Sequence, residues 1–404
     1  MSSITDPQQG SFRLSMLFND TRYRSLTFQA IAAIILALSI WYLGNNLIQN
    51  LRAAGLNISY TFLGSPSGYD INQTLVEYDS QSTHAKAALV GILNTLLVAF
   101  LACLTATLFG VIAGVLRLSN NWLISKLMAF YVEIFRNIPV LIWIIIIFTI
   151  MTNVMPAPRD FRGDNPNASM LFDAVAFTNR GVYIPAPVWG GGSLIVVLTF
   201  IASVIGIFFF RRYATKVLYD TGRLMPTLWP SIGLFFIPTI LMHFIMGQPV
   251  TLDYPVLGGF NFNGGLQIGA PLIALWFALS IYTGAFIAEN VRAGIQAVSQ
   301  GQTEAAGALG MRPGRIMSLV VLPQALRVII PPLISQYLNI TKNSSLAIAV
   351  GYADVTATLG GITLNQTGRA IECVLLLMLF YLTISLTISA VMNFYNNSVK
   401  LKER

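Results

Sequence analysis

The chain has 404 residues, of which 55% are hydrophobic and only 10% charged, with a mean hydropathy of +0.68; soluble domains carry roughly 25% charged residues, so the composition argues against a soluble enzyme. Two cysteines, Cys103 and Cys373, lie inside apolar runs, and two scattered histidines complete the set, so neither a disulfide framework nor a metal cluster is indicated. The formal charge of +8 would point to nucleic acid in a soluble chain, but the loops of a membrane protein can carry the same excess, and its placement decides.

A membrane helix needs about 20 mostly apolar residues to cross a hydrocarbon core of about 30 Å. Taken in chain order, the runs that meet this are Ser25 to Leu51, Ala87 to Leu116, Asn137 to Pro158, Val182 to Phe210, Leu224 to Gln248, Tyr254 to Ala288 and Cys373 to Val399. The helix of the fourth run is expected after Gly190-Gly191-Gly192, and that of the sixth after Gly264-Gly265. An eighth span, Leu319 to Thr341, is weakened by Arg327 and by the Pro331-Pro332 pair. The fold class is therefore an all-α integral membrane protein of about eight transmembrane helices. The first run is too long, and lies behind too long a polar leader, for a cleaved signal, so it is expected to be a retained anchor helix.

Lysine and arginine set the orientation. One set of loops (the N-terminus, Arg117 to Arg136, Arg211 to Arg223, Arg292 to Arg327 and the C-terminal tail) holds 17 of the 24 Lys and Arg. The opposite set holds Arg52, Lys86, Arg159, Arg162, Arg180, Lys342 and Arg369. Both termini, including Lys400, Lys402 and Arg404, are thus expected inside. Two external segments, about Arg52 to Lys86 and Met155 to Gly192, are rich in Gly, Pro, Asn and Asp and are expected to form external caps. The expected organisation is residues 1–86 for the N-terminus, first helix and loop, 87–154 for a first core part, 155–265 for a loop with a two-helix insertion, and 266–404 for a second core part.

No Gly-Lys dipeptide is present, so the chain has no P-loop and cannot hydrolyse ATP through one. The most informative stretch is GQTEAAGALGMRPGRIMSLVVLPQAL, Gly301 to Leu326, which reads as two short helices joined by a corner. Thr303 is placed to cap the first, Glu304 falls in its first turn, Gly310 suits the C′ position, and Pro313 is placed to open the second. The small residues Ala305, Ala306, Gly307 and Ala308 would let another surface approach closely. Elsewhere, Gly110 and Gly114 form a GxxxG pair suited to close helix packing.

That stretch resembles the EAA loop of bacterial ABC importer permeases, here within residues 298–323. Glu304-Ala305-Ala306, Gly310 after three residues and Leu322-Pro323 fall at the family's spacing, with Val320 where Ile is usual. YTGAFIAENVRAGIQAVSQGQTEAA (Tyr282 to Ala306), PQALRVIIPPLISQYLNITKNSSLAIAVG (Pro323 to Gly351), GILNTLLVAF (Gly91 to Phe100) and YVEIFRNIPVL (Tyr131 to Leu141) resemble the polar amino acid branch. NRGVYIPAP (Asn179 to Pro187), the first span and its long external loop are similar to the larger permease of general L-amino acid importers. The resemblance implies a five-helix permease core with an added N-terminal helix and a two-helix insertion, in a bacterial inner membrane. It also implies partners: a second, related permease, two ATPase subunits that bind the ATP and Mg, and an extracytoplasmic solute-binding protein delivering L-amino acids. Glu304, Ala305, Ala306, Gly310 and Pro313 would then dock on the ATPase, and no cofactor or catalytic residue is expected in this chain.

Candidate pathway residues follow from local chemistry. Ser344 or Ser345 could cap a half-helix whose free N–H groups suit a substrate carboxylate, with Lys342 and Asn343 beside it; alternatively Lys342 reaches to the interface and the serines merely cap. Arg136 and Asn137 stand before Pro139 at the inner entrance of the third span, where a gate role competes with simple charge retention. Tyr282 and Thr283 lie deeper and are candidates to line the path, although Thr can equally bond its own backbone. Glu289 and Arg292, three residues apart, are expected to form a structural pair. An ion-driven carrier is the alternative; it needs no ATPase partner, and it leaves the EAA spacing without an explanation, as does a membrane scaffold.

Overall fold

A computed structural model describes residue 18 and residues 21–55, 57–163, 166–223 and 225–399. Arg13 and the tail residues Lys400, Lys402 and Arg404, on which the inside placement of the termini rests in part, lie outside those residues. The chain divides into two compact units, Met1–Phe62 and Leu63–Arg404. In the first, α1 (Thr21–Ala53) runs for 33 residues, about 50 Å. Its Thr27 and Ser39 hydroxyls donate to the carbonyls of Tyr23 (2.9 Å) and Ile35 (2.8 Å), so these polar side chains remain satisfied inside an apolar helix.

The second unit opens with a loop whose backbone pairs across itself, Ser67 N–H to Ser82 O at 2.8 Å and Gly68 N–H to Ser80 O at 2.9 Å. Ser82 also donates to Asp79 at 2.8 Å, which holds that carboxyl below its usual range. The helices follow: α2 (His84–Arg117), α3 (Trp122–Asn137), α4 (Val140–Val154), α5 (Ser193–Thr221), α6 (Leu228–Ile245), α7 (Ala270–Gln296), α8 (Gln300–Ala308), α9 (Pro313–Ile316), α10 (Leu322–Asn343), α11 (Leu364–Thr367) and α12 (Ala370–Val399). Short π-helical stretches cover Met317–Val321 and Thr356–Thr363, and a 3-10 stretch covers Ser344–Val350. Seven described helices are long and apolar enough to cross a membrane, and eight spans result when the bent pair α3–α4 is taken as one.

That pair departs from the sequence expectation. Instead of a loop to Arg136 and a straight span from Asn137, α3 and α4 meet at 105°. Pro139 lacks an N–H and disfavours helical backbone at the residue before it, and Ile138 is accordingly extended (φ −105°, ψ 132°). With 15 residues, α4 reaches only about 22 Å, short of a hydrocarbon core of about 30 Å.

The chain is also not wholly α. Among the described residues seven short strands lie between residues 176 and 269: β1 (Ala176–Thr178), β2 (Gly181–Ile184), β3 (Ala186–Trp189), β4 (Val250–Asp253), β5 (Val256–Gly258), β6 (Asn261–Asn263) and β7 (Leu266–Gly269). They form three antiparallel sheets, β1-β2-β7, β3-β4 and β5-β6. Each strand has only three or four residues, too few for alternation to stand out among the Gly, Pro and Asn that mark turns. The pairing is long in range: Ile184 lies opposite Leu266, and Trp189 opposite Val250. The pairings β3–β4 and β2–β7 clip together the two ends of the α5–α6 hairpin, whose helices pack against each other.

The core of the unit is α7. Of its apolar stretch 61% is buried, against 11% for α5 and 6% for α6. It packs most closely on α2, where Ala102, Ala106, Ala113, Ala274, Ala278, Ala285 and Ala288 are all buried. The GxxxG pair lies in this contact. A Cβ on Gly110 would meet the Ile287 side chain at 2.5 Å, and one on Gly114 the Ala288 carbonyl at 2.6 Å. In hydrocarbon, helix association depends on such close van der Waals contact because lipid tails are as apolar as the side chains.

Gly114→Leu should therefore lower stability by about 1–3 kcal/mol through overpacking, while Gly206→Leu on α5, where nothing lies within 4 Å, should not. Thermal unfolding of the two variants in detergent, followed by size-exclusion chromatography, checks this difference.

Candidate functional site

Two regions carry the chemistry. The first is the loop between α7 and α10. Helix α8 starts after Ser299, which makes no side-chain cap, so Thr303 does not cap it and Glu304 sits in the second turn, not the first. The helix begins four residues earlier than the sequence indicated, because Gln300, Gly301, Gln302 and Thr303 are already helical after Ser299. Its end is as expected. Gly310 adopts φ +74°, Gly310 N–H reaches Gly307 O at 2.9 Å, and Met311 N–H reaches Ala306 O at 3.3 Å. These are the two bonds of a Schellman ending. Arg312 is then extended and Pro313 occupies the first turn of α9.

Within this loop Ala306 is the buried residue of α8, packed with Ile316 and Val321. Glu304, Ala305, Gly310 and Pro313 are exposed, and Leu309 at the corner is 82% exposed. The loop thus presents a carboxylate, small residues and one bare leucine on a short helix, while its other side is seated on the ends of two core helices. Those helices are in direct contact, since a Cβ on Gly294 of α7 would collide with Ile329 of α10.

Close by is a charge network. Glu289 accepts from Arg292 Nε at 3.2 Å, and also from Arg117 at the end of α2. Arg117 also lies 3.8 Å from Glu133 of α3, and the Arg136 guanidinium sits 5.3 Å from the Phe286 ring centroid. The pair expected from i,i+3 spacing is thus part of a network joining α2, α3 and α7. Arg117 was legible as the first charge after the run from Ala87, but its pairing needed the helices to be brought together.

The second region is a buried polar node that sequence reasoning did not single out. Asn94 and Thr95 of α2 are fully buried, as is Asp354 in the connection between α10 and α12. The Asn94 amide donates to Gln73 O and Ala353 O, both at 2.9 Å, and Thr95 Oγ1 accepts from Val355 N–H at 3.1 Å. Tyr352 O–H reaches Asn94 O at 3.3 Å, and Asp354 Oδ1 accepts from Ala357 N–H at 2.8 Å. Among the described residues two side-chain acceptors here, Asn94 Oδ1 and Asp354 Oδ2, are buried without a hydrogen bond of ordinary geometry. Buried acceptors left open fit a ligand rich in N–H donors, such as an ammonium group. The available signal was that each is a polar residue embedded in an apolar run.

The expected pathway residues are dispersed. Ser344 and Ser345 do not cap a half-helix: the chain passes from α10 directly into the 3-10 stretch, and the two hydroxyls donate back to Thr341 O and Lys342 O, both at 2.7 Å. No helix start with free N–H groups is formed there. Lys342 is exposed and Asn343 half-buried. Tyr282 packs against the central cluster and its ring lies 5.1 Å from that of Phe286, while Thr283 is buried. Asn137 is exposed and donates to Glu133 O at 2.7 Å. His84 is buried and bonded to Thr363 at 3.1 Å. Among the described residues no His, Cys, Asp and Glu come together as a metal set.

Residues 195–401 match the family described as the binding-protein-dependent transport system inner membrane component. The chain belongs to that family. The match takes in α5 and α6 as well as α7 to α12, and leaves α2 to α4 outside. The chain is 52% identical to the glutamate/glutamine/aspartate/asparagine transport system permease protein BztB of Rhodobacter capsulatus, with the whole of both chains covered. It is 43% identical to the general L-amino acid transport system permease protein AapQ of Rhizobium johnstonii, covering 99% of this chain and 98% of that one. A crystal structure of an amino acid ABC transporter with histidines is 20% identical, covers 78% of this chain and 95% of its own, and superposes with a TM-score of 0.45. The protein is accordingly a multi-pass inner-membrane transport component.

Glu289→Gln should cost about 1.5–3 kcal/mol, because Arg117 and Arg292 lose a charge-assisted partner. A matching fall in thermal stability in detergent, with Glu133→Gln changing little, checks it, since Glu133 is more exposed and its pair longer.

Proposed function

We propose that this chain is the permease subunit of an ATP-driven importer for L-amino acids. It works with a second, related permease, two ATPase subunits that bind ATP and Mg, and an extracytoplasmic binding protein. The observation that carries the reading is the α8–Gly310–α9 corner, an exposed docking element seated on two packed core helices. Both termini and this corner face the cytoplasm, in accord with the Lys and Arg distribution. Helices α2 to α4, α7, α10 and α12 make the transport core, and the α5–α6 hairpin is an addition to it.

In this reading ATP-driven closure of the ATPase pair pushes on α8. Glu304 and Leu309 are the points of contact, and Ala306 transmits the displacement to α9 and the start of α10 through Ile316 and Val321. Because α7 and α10 touch at Gly294 and Ile329, their inner ends move together and the path opens to the other side. Substrate passes the node at Asn94 and Asp354, whose two open acceptors receive the ammonium common to all amino acids.

Glu304→Arg should abolish ATPase association and ATP-dependent uptake in vesicles containing the whole complex, with normal membrane insertion. Uptake that persists without ATP in this variant sinks the importer reading and favours an ion-driven carrier. Asp354→Asn should raise the uptake KM roughly tenfold to a hundredfold, the equivalent of one charge-assisted hydrogen bond. ATPase association should be unchanged, as read by copurification.

A further inference from the structure

The α5–α6 hairpin carries features that the transport reading does not use. Helix α5 has 29 residues, about 43 Å, against a hydrocarbon core of about 30 Å. Its charge-free part ends at Phe210, and Arg211, Arg212 and Lys216 follow on the next two turns, with Arg223 just past the helix. Only Asp220 opposes them in sequence. Among the described residues none of these four cations is drawn into an ion pair, and all four are exposed.

Two grooves flank this segment. One, of about 310 Å³, runs between α5 and α6; Arg211 and Ser231 line it together with the apolar side chains of Ile207, Phe235 and Phe236. Ser231 is only 6% exposed, yet among the described residues its hydroxyl has no hydrogen-bond partner. The other is a shallow, open hollow on the face of α5 alone, lined by Arg212 and Lys216 with Tyr213 and Tyr219. Residues 212, 216 and 219 follow i, i+4 and i+7 spacing, so they share one helix face.

An unpaired guanidinium and an unsatisfied hydroxyl at one end of an apolar groove, with further cations beside them, match a ligand with an anionic head and a hydrocarbon tail. The cations begin where the apolar stretch stops, at headgroup depth, where basic clusters attract anionic lipid. A protein partner is the poorer fit, because the groove's walls are continuous with helix faces that are largely exposed along the span.

We propose that the basic end of the α5–α6 hairpin binds one anionic phospholipid, its phosphate held by Arg211 and Ser231 and one acyl chain lying along Ile207, Phe235 and Phe236. Arg212 and Lys216 supply the surrounding positive field. The inner leaflet as its source rests on the orientation proposed above; the binding itself does not depend on the transport reading.

The test is native mass spectrometry of the intact complex, delipidated and returned to nanodiscs of phosphatidylcholine with or without phosphatidylglycerol. Wild type should retain phosphatidylglycerol at least fivefold over phosphatidylcholine. The triple variant Arg211→Gln, Arg212→Gln, Lys216→Gln should lose this preference. So should Ser231→Phe, which fills the groove without changing charge and keeps the test decisive if the triple variant fails to assemble. Inorganic phosphate should not displace the lipid. Equal retention by wild type and Ser231→Phe overturns the proposal, as does displacement by phosphate, which would show a bare anion site. Loss of a protein subunit from the triple variant at unchanged lipid retention overturns it in favour of a protein interface. Retention is read without transport, so its failure is separable from failure of the Glu304→Arg experiment.

Discussion

The contact between α2 and α7 is the constraint on which the rest of the second unit depends. It is made of alanines and glycines, and its strength lies in the absence of side chain: Gly110 and Gly114 allow the backbone of α7 to come within direct contact. Hydrocarbon provides no hydrophobic drive for helix association, so density of contact must replace it. Once α7 is fixed on α2, the other core elements have a frame. Helix α3 is tied to it by Tyr131 O–H donating to Ile281 O at 2.6 Å and by the charges around Glu289. Helix α10 is set by the meeting of Gly294 with Ile329, and Gly91 admits the connection that bears Asp354.

This frame explains how a chain with a long interruption keeps one core. The hairpin α5–α6 leaves and returns through strands paired in antiparallel register, so its ends are held side by side and α7 begins beside the start of β2, with Gly269 opposite Gly181. Backbone hydrogen bonds between these strands thereby fix the geometry without asking the hairpin to pack on the core. The hairpin's faces stay free for lipid, and its basic end stays free for a headgroup.

At the opposite end of α7 the segment from α8 to α9 is constructed so that rigidity and exposure coexist. One residue, Ala306, anchors α8, and a left-handed glycine turns the chain. Most of what remains is offered outward. A helix so attached can receive a push and pass it to two core helices, because one chain connection leads into α7 and the other, through α9 and the π-helical stretch, into α10.

Much of this was legible in the sequence because it is local. Length and apolarity determined the spans, since about 20 residues are needed in any bilayer. Gly310 and Pro313 announced their positions through backbone conformations that few other residues suit. Glu289 and Arg292 paired as one helical turn dictates. What failed was also physical. The caps expected of Thr303, Ser344 and Ser345 assumed helix starts that the chain does not make; in the last two the hydroxyls turn back to carbonyls already in reach. The bend at Pro139 was visible as a proline but not as an angle. The strands, the third partner Arg117 and the node of Asn94 with Asp354 belong to residues tens to hundreds of positions apart. Hydropathy and spacing determine which segments enter the membrane and which local turns form; which polar groups meet inside it is decided only when the small residues of α2 and α7 bring distant segments into contact.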